Sequence, residues 1–409
     1  MEKSNNIINS HKFLVLIDQV LYSGSNFALM LWLARALSVS NFGMYSFITL
    51  GSYLLISISG AFIIQPFQVV VADFRNSKKY FCFLFYFQLF LLLAILLVGI
   101  VIGGFFVKID SLFLSIAMMV FLSVFGDYLR KFFLAKGDVK TALLLNILLV
   151  VTQLIIVIYI EFTGHYPIEF IFFLIGLSYT VLLVVSVFIL KPRFSFNIIK
   201  SEYVDYHLSQ GRWLFLVALT QWLSSNLFVL MSGIFISIEA LGAFRIVQSM
   251  FGVLNILFQT FENYVLPNAS RIYIQSVEKS KKYIKSITLQ AGLLIAFVLV
   301  VLFVFSNYII VFVAGEDYSL YGYLIKGMCV LYAVVFLGYP SRLYIRILLL
   351  NKSFFFGYLI SFIFSVLLSH FLLSKWQLNG VIVGLVINQL ILLIYWNYKL
   401  SKNGFYLWK

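Results

Sequence analysis

The stretch from Tyr80 to Val107, YFCFLFYFQLFLLLAILLVGIVIGGFFV, holds no charged residue from end to end. A helix needs about 20 apolar residues to cross a bilayer core, so this segment can span a membrane on its own. Comparable runs flank it along the whole chain, at 13–36, 42–64, 111–135, 140–161, 168–190, 212–236, 240–266, 286–314, 320–349, 354–374 and 378–398. The expected fold is therefore an all-α polytopic membrane protein with about twelve spans. These runs are too long and continuous for the alternating ten-residue strands of a membrane barrel.

Composition points the same way. Of 409 residues, 63% are hydrophobic and 11% charged, with 45 Phe and five Pro; soluble domains carry roughly 45–50% and about 25%. The net charge of +14 does not read as a nucleic-acid footprint, because Lys and Arg sit in short clusters between apolar runs. With the N-terminus inside, all but five of the 29 Lys and Arg residues fall at cytoplasmic loops or helix ends; the exceptions are Arg35, Lys108, Arg245, Lys326 and Lys375. The positive-inside rule then places both termini in the cytoplasm. The run from Phe13 to Ala36 contains Asp18, Gln19 and Asn26, which makes it a retained first span rather than a signal-peptide core. Cys82 and Cys329 lie far apart in apolar runs and read as buried thiols, not a disulfide framework.

The longest inner connection, 191–211, divides the chain near its middle, giving expected bundles of six helices at 1–195 and 196–409. The halves resemble each other. Ser25-Asn26 matches Ser225-Asn226, Phe42-Gly43 matches Leu241-Gly242, and Pro66 matches Pro267. Then follow Lys78-Lys79-Tyr80 with Lys281-Lys282-Tyr283, Gln88 with Gln290, and Arg130 and Lys136 with Arg346 and Lys352. Six spans per repeat make the repeats parallel, related by an axis along the membrane normal. Two bundles around a central cavity, as in alternating-access transporters, is the expected arrangement.

Polar groups inside spans are costly and face protein or water. In the eighth run, Arg245, Gln248, Gly252, Asn255, Gln259 and Glu262 recur at steps of three and four, one stripe on one helical face. The stripe is either a water-lined cavity wall or a helix–helix seam with Gly252 for close packing. Asp18, Gln19, Tyr22, Ser25 and Asn26 gather on the first run, Thr220, Gln221, Ser224, Ser225 and Asn226 on the seventh, and Ser46, Thr49 and Tyr53 on the second. Arg35 and Lys326 lie near outer ends, where they either snorkel or touch substrate. Arg130, Arg342 and Arg346 lie near inner ends and count first toward topology. Asp18 either carries a coupling proton or cation, or pairs with a nearby Arg. These six embedded cations stand against Asp18, Asp127 and Glu262. That balance suits an anionic passenger, and the forked guanidinium suits phosphate.

The four His residues are isolated from one another, and no phosphate-cradling glycine loop or nucleophile elbow is present. No metal, catalytic residue or cofactor is expected, and a transporter is favoured over an enzyme.

Two segments carry a resemblance. Gln19 to Asn26, Leu33-Ala34-Arg35-Ala36-Leu37 and Asn41-Phe42-Gly43-Met44-Tyr45 resemble the first signature of bacterial polysaccharide flippases. Leu241-Gly242-Ala243-Phe244-Arg245-Ile246-Val247-Gln248, with Leu266-Pro267-Asn268-Ala269-Ser270-Arg271, resembles the second. The resemblance is to the O-antigen branch of the superfamily that also holds multidrug-and-toxin extruders and lipid II flippases. It implies translocation of undecaprenyl-diphosphate-linked oligosaccharide across the bacterial inner membrane, with Arg35 and Arg245 in the matching motifs. Other polysaccharide-assembly proteins are the implied partners, and nucleic acid is not one. A cation-coupled drug exporter of the same superfamily is the alternative; it would be expected to hold more buried carboxylates. A membrane-embedded polymerase or acyltransferase lacks the large outer loop it would need, and a non-transporting assembly partner leaves the polar stripe without a role.

Overall fold

In the computed structural model the described backbone comprises residues 2–69, 77–106, 109–164, 167–193 and 201–406; within it, the side chains of 2–13, 16, 102–106, 201, 253, 256, 259, 260, 262 and 263 are not described. Among the described residues there is no strand. The chain is a multi-pass membrane protein, and its described residues form twelve helical segments.

These are α1 (Glu2–Ala36), α2 (Val39–Val69), α3 (Lys78–Phe106), α4 (Ser111–Lys136), α5 (Val139–Thr163), α6 (Ile168–Leu190) and α7 (Ser201–Phe235). Next comes α8, assembled from Ile238–Met250, Gly252–Thr260, Phe261–Val265 and Leu266–Gln275. Helix α9 runs through Val277–Val304 and Ser306–Ala314, and α10 through Gly322–Ile347. The last continuous stretch, Asn351–Lys402, is two helices broken at Gln377 (φ 47°, ψ −130°), so α11 is 351–376 and α12 is 378–402. Nine described helices are long and apolar enough to cross a membrane; the last of these holds two spans, and α1 and α8 complete the twelve.

Local chemistry sets the helix ends. Gly137 adopts φ 89° to stop α4, and Asp138 immediately caps α5 by accepting from the Thr141 N–H at 3.2 Å, the usual αL stop followed by an N-cap. Asp110, Ser237 and Ser276 cap α4, α8 and α9 in the same way. Both repeat-related second helices contain a π turn just before their proline, Gly60–Ile64 ahead of Pro66 and Phe261–Val265 ahead of Pro267. Proline has no N–H and crowds the carbonyl four residues back, so the helix widens by one residue there.

The eighth run differs from expectation. It is not one uninterrupted helix: it breaks at Phe251 and widens at 261–265. The stripe of polar positions therefore does not run along one regular helix.

The chain packs as two units, 1–29 with 48–219, and 30–47 with 220–409. The division falls within α7, and the turn joining α1 to α2 belongs with the second unit. In the first unit, Tyr80, Phe125, Tyr128, Phe132 and Phe133 are fully buried, and Phe67 stacks on Phe132 with centroids 5.4 Å apart. In the second, Phe42, Phe228, Phe244, Tyr318 and Tyr344 form the interior. Leu289, Leu293 and Phe297 on α9 are about 70% exposed, the surface that a bilayer covers.

The second unit also explains why residues 30–47 pack there. Gly43 and Gly242, equivalent in the two repeats, meet face to face: a methyl on Gly242 would lie 2.9 Å from the Gly43 Cα. Only glycine lets two backbones approach so closely. Phe42 adds an edge-on contact with Tyr318, centroids 6.4 Å apart.

Candidate functional site

The first unit holds a buried ion-pair network. Helix α1 presents Asp18, Gln19 and Tyr22; α4 presents Asp127, Arg130 and Lys131; α5 presents Asn146. Asp18 is fully buried, and Arg130 donates to its Oδ2 from Nη2 at 2.6 Å and from Nε at 3.0 Å. The same Nη2 also donates to Gln19 Oε1 at 3.0 Å. Asn146 Nδ2 donates to Asp18 Oδ1 at 3.1 Å and to its backbone carbonyl at 2.7 Å. The guanidinium lies 4.1 Å from the centre of the Tyr22 ring, and the Tyr22 hydroxyl donates to Asp127 at 3.1 Å. Lys131 closes the chain on Asp127 at 2.7 Å. Of the two readings left open for Asp18, the geometry is that of pairing with arginine. Two carboxylates face two cations, so the cluster carries no net charge.

The second unit has an uncharged seam instead. Ser224 on α7 donates to Ser361 on α11 at 2.8 Å, and Asn388 on α12 donates to the Ser224 carbonyl at 2.9 Å and to Ser365 at 2.8 Å. All four are buried. Sequence reasoning flagged Ser224 and passed over Asn146, Ser361, Ser365 and Asn388. The signal that could have found the two asparagines is a lone amide in an otherwise apolar span.

The stripe of α8 is placed as follows. Arg245 Nη1 donates to Gln248 Oε1 at 2.6 Å, both half-buried. Asn255 is exposed and accepts from the Tyr332 hydroxyl at 3.2 Å. A methyl added at Gly252 would meet no described atom within 4 Å, which is not the environment of a close-packing glycine. The side chains of Gln259 and Glu262 lie outside the described residues. The α8 face is thus open where it is described.

The remaining sequence candidates make contacts of their own. Arg35 donates to the carbonyls of Phe312 and Val313 at the end of α9, where a helix leaves unsatisfied acceptors and a partial negative charge. Asn26 donates back to the Tyr22 carbonyl at 2.8 Å, and its repeat mate Asn226 does the same to Trp222 at 2.9 Å. Lys326 is exposed, 5.7 Å from the centre of the Phe303 ring. Among the described residues no group of His, Cys, Asp and Glu could hold a metal ion.

One further polar arrangement supports the kinked α2. His207 of α7 is fully buried, its Nδ1 2.8 Å from the Phe62 carbonyl and its Nε2 2.7 Å from the Tyr80 hydroxyl. Phe62 lies four residues before Pro66, so its carbonyl is the one that proline deprives of a helical donor. A carbonyl only accepts, so Nδ1 carries the proton and a neutral ring accepts from Tyr80 at Nε2.

No protein-family profile matches the chain, and no curated protein sequence matches it. Solved structures do. An inward-facing multidrug resistance transporter of the MATE family, in the MOP superfamily, superposes with TM-score 0.72 at 15% identity, over 94% of this chain and 95% of its own. The lipid II flippase MurJ, inward closed, superposes with TM-score 0.68 at 13% identity, over 96% of this chain and 87% of its own. A MOP-superfamily transporter from Pyrococcus furiosus, with a binding pocket of reversed polarity, gives 0.64 at 13% identity over 96% and 94%. These neighbours are transporters and flippases, and at such identities what is shared is architecture: the chain has the fold of MOP-superfamily transporters.

Proposed function

We propose that this chain is a flippase that carries an anionic, undecaprenyl-diphosphate-linked oligosaccharide across the bacterial inner membrane by alternating access, with both termini in the cytoplasm. The observation that carries this reading is the open polar face of α8, where Arg245 and Gln248 precede a Gly252 with no described neighbour and an exposed Asn255. Such a face is costly against lipid and favourable against water or a polar passenger. Arg245 is the phosphate-binding group, since a guanidinium forks onto oxyanions, and Gln248 orients it. Asp18 serves as a structural partner of Arg130 rather than a coupling group. The architectural likeness to a lipid II flippase agrees with a lipid-linked cargo.

The test is surface polysaccharide and lipid-linked repeat units in a strain lacking the chain, complemented with wild type or Arg245→Ala. Loss of surface glycan with repeat units held on the cytoplasmic face, unrescued by Arg245→Ala at normal membrane levels, supports the reading. Full rescue removes Arg245 from the site.

A second reading, a cation-coupled multidrug exporter, draws on the likeness to the MATE transporter. It predicts normal surface glycan and sensitivity to cationic drugs on deletion. The pairing of Asp18 and Asp127 with basic residues disfavours it, because a cationic drug needs an available carboxylate.

A further inference from the structure

The second unit holds a partly open cavity of about 100 Å³ among α7, α10, α11 and α12. Gln221 and Ser225 come from α7, Arg342 from α10, Tyr358 from α11, and Gln389 and Trp396 from α12. Among the described residues that line it there is no carboxylate. Gln221, Ser225 and Gln389 make no hydrogen bond to another described residue, and the buried indole N–H of Trp396 finds no acceptor among them. The Arg342 guanidinium carbon lies 5.5 Å from the centre of the Tyr339 ring and 5.9 Å from that of Phe354. Stacking of this kind holds a guanidinium in plane. The wall thus combines one cation, two amides, the hydroxyls of Ser225, Tyr339 and Tyr358, and an indole N–H, and it is rich in donors.

We propose that this cavity is a binding site for the phosphate group of a lipid. A donor-rich, carboxylate-free wall selects an acceptor of negative charge. The cavity has room for a tetrahedral oxyanion. Arg342 lies in the last two turns of α10, before a short connection to Lys352 at the end expected to face the cytoplasm. Lipid phosphates line the cytoplasmic surface that this end is expected to approach. The proposal does not rest on the flippase reading: a phospholipid headgroup and the diphosphate of a polyprenyl carrier offer the same chemistry.

The experiment is equilibrium binding to the full chain purified in detergent, with farnesyl diphosphate, dihexanoyl phosphatidic acid and neutral dihexanoylglycerol as probes. Saturable binding of a phosphorylated probe, and none of dihexanoylglycerol, is expected. Arg342→Gln should weaken it at least tenfold, Gln389→Leu several-fold, and Arg346→Gln, one turn further on and outside the cavity wall, should leave it unchanged. A preference of tenfold or more for farnesyl diphosphate assigns the site to a diphosphate carrier; equal affinities assign it to phospholipid. Absence of saturable binding, binding insensitive to Arg342→Gln, or equal loss in Arg346→Gln overturns the proposal. Should Arg342→Gln fail to yield a monodisperse protein, Gln389→Leu decides. Loss of binding with normal glycan export in either variant would leave this site standing and separate it from transport.

Discussion

Replacing Asp18 by Asn removes one charge from a fully buried pair and leaves the Arg130 guanidinium, whose side chain is 6% exposed, facing only neutral acceptors. Breaking a buried pair from one side costs about 3–5 kcal/mol, because the remaining charge stays desolvated. Asn retains one acceptor for Arg130, so the lower end, about 3 kcal/mol, is expected. Arg130→Gln should cost at least as much, because it strips two donors from Asp18 and frees Gln19 and the face of Tyr22. The double variant removes both charges together, and its cost should fall well short of the sum of the single variants, with coupling of roughly 1–3 kcal/mol. Denaturant titration of the purified protein in mild detergent, followed by tryptophan emission, gives the three values. Additivity within about 0.5 kcal/mol would refute the reasoning. So would an Asp18→Asn protein of unaltered stability that has lost transport, which would make Asp18 a coupling group.

Three other outcomes are expected. Gly242→Ala drives a methyl into the Gly43 backbone; overpacking of about 1–3 kcal/mol exceeds the ~1 kcal/mol gained in helix propensity, whereas Gly252→Ala, with no described neighbour, should be neutral or stabilising in the same titration. His207→Leu leaves the Phe62 carbonyl without the donor that Pro66 cannot supply, so a loss of about 1–3 kcal/mol is expected; Pro66→Ala in the same background should recover part of it, and no recovery would sever the link between the kink and His207. Arg35→Gln weakens the cap on α9 by about 0.5–1 kcal/mol and leaves glycan export intact; abolished export at normal membrane levels would return Arg35 to the substrate path.

The sequence by itself determined that the chain is helical and where it meets lipid. Burial of an apolar run in a bilayer depends on the composition of that run alone, which is why stretches such as 111–135 and 168–190 match α4 and α6 almost residue for residue. The matched prolines Pro66 and Pro267 were legible too, and each follows a π turn, in α2 and α8. Only the tertiary structure decided which polar groups meet. Asp18 and Arg130 are 112 residues apart, and no periodicity on α1 says which face of α4 it will pack against. The glycines of the two repeats were visible as a match, but not as a contact between Gly43 and Gly242. Arg35, read as either snorkelling or touching substrate, donates to the carbonyls ending α9, a contact its place in the sequence did not announce. Nor could the stripe of α8 be read as open or packed from its spacing, since i, i+3 and i+4 steps look alike on either surface. A bilayer acts on each segment separately, whereas a hydrogen bond requires two segments to be brought together, and that is settled by the packing of the whole chain.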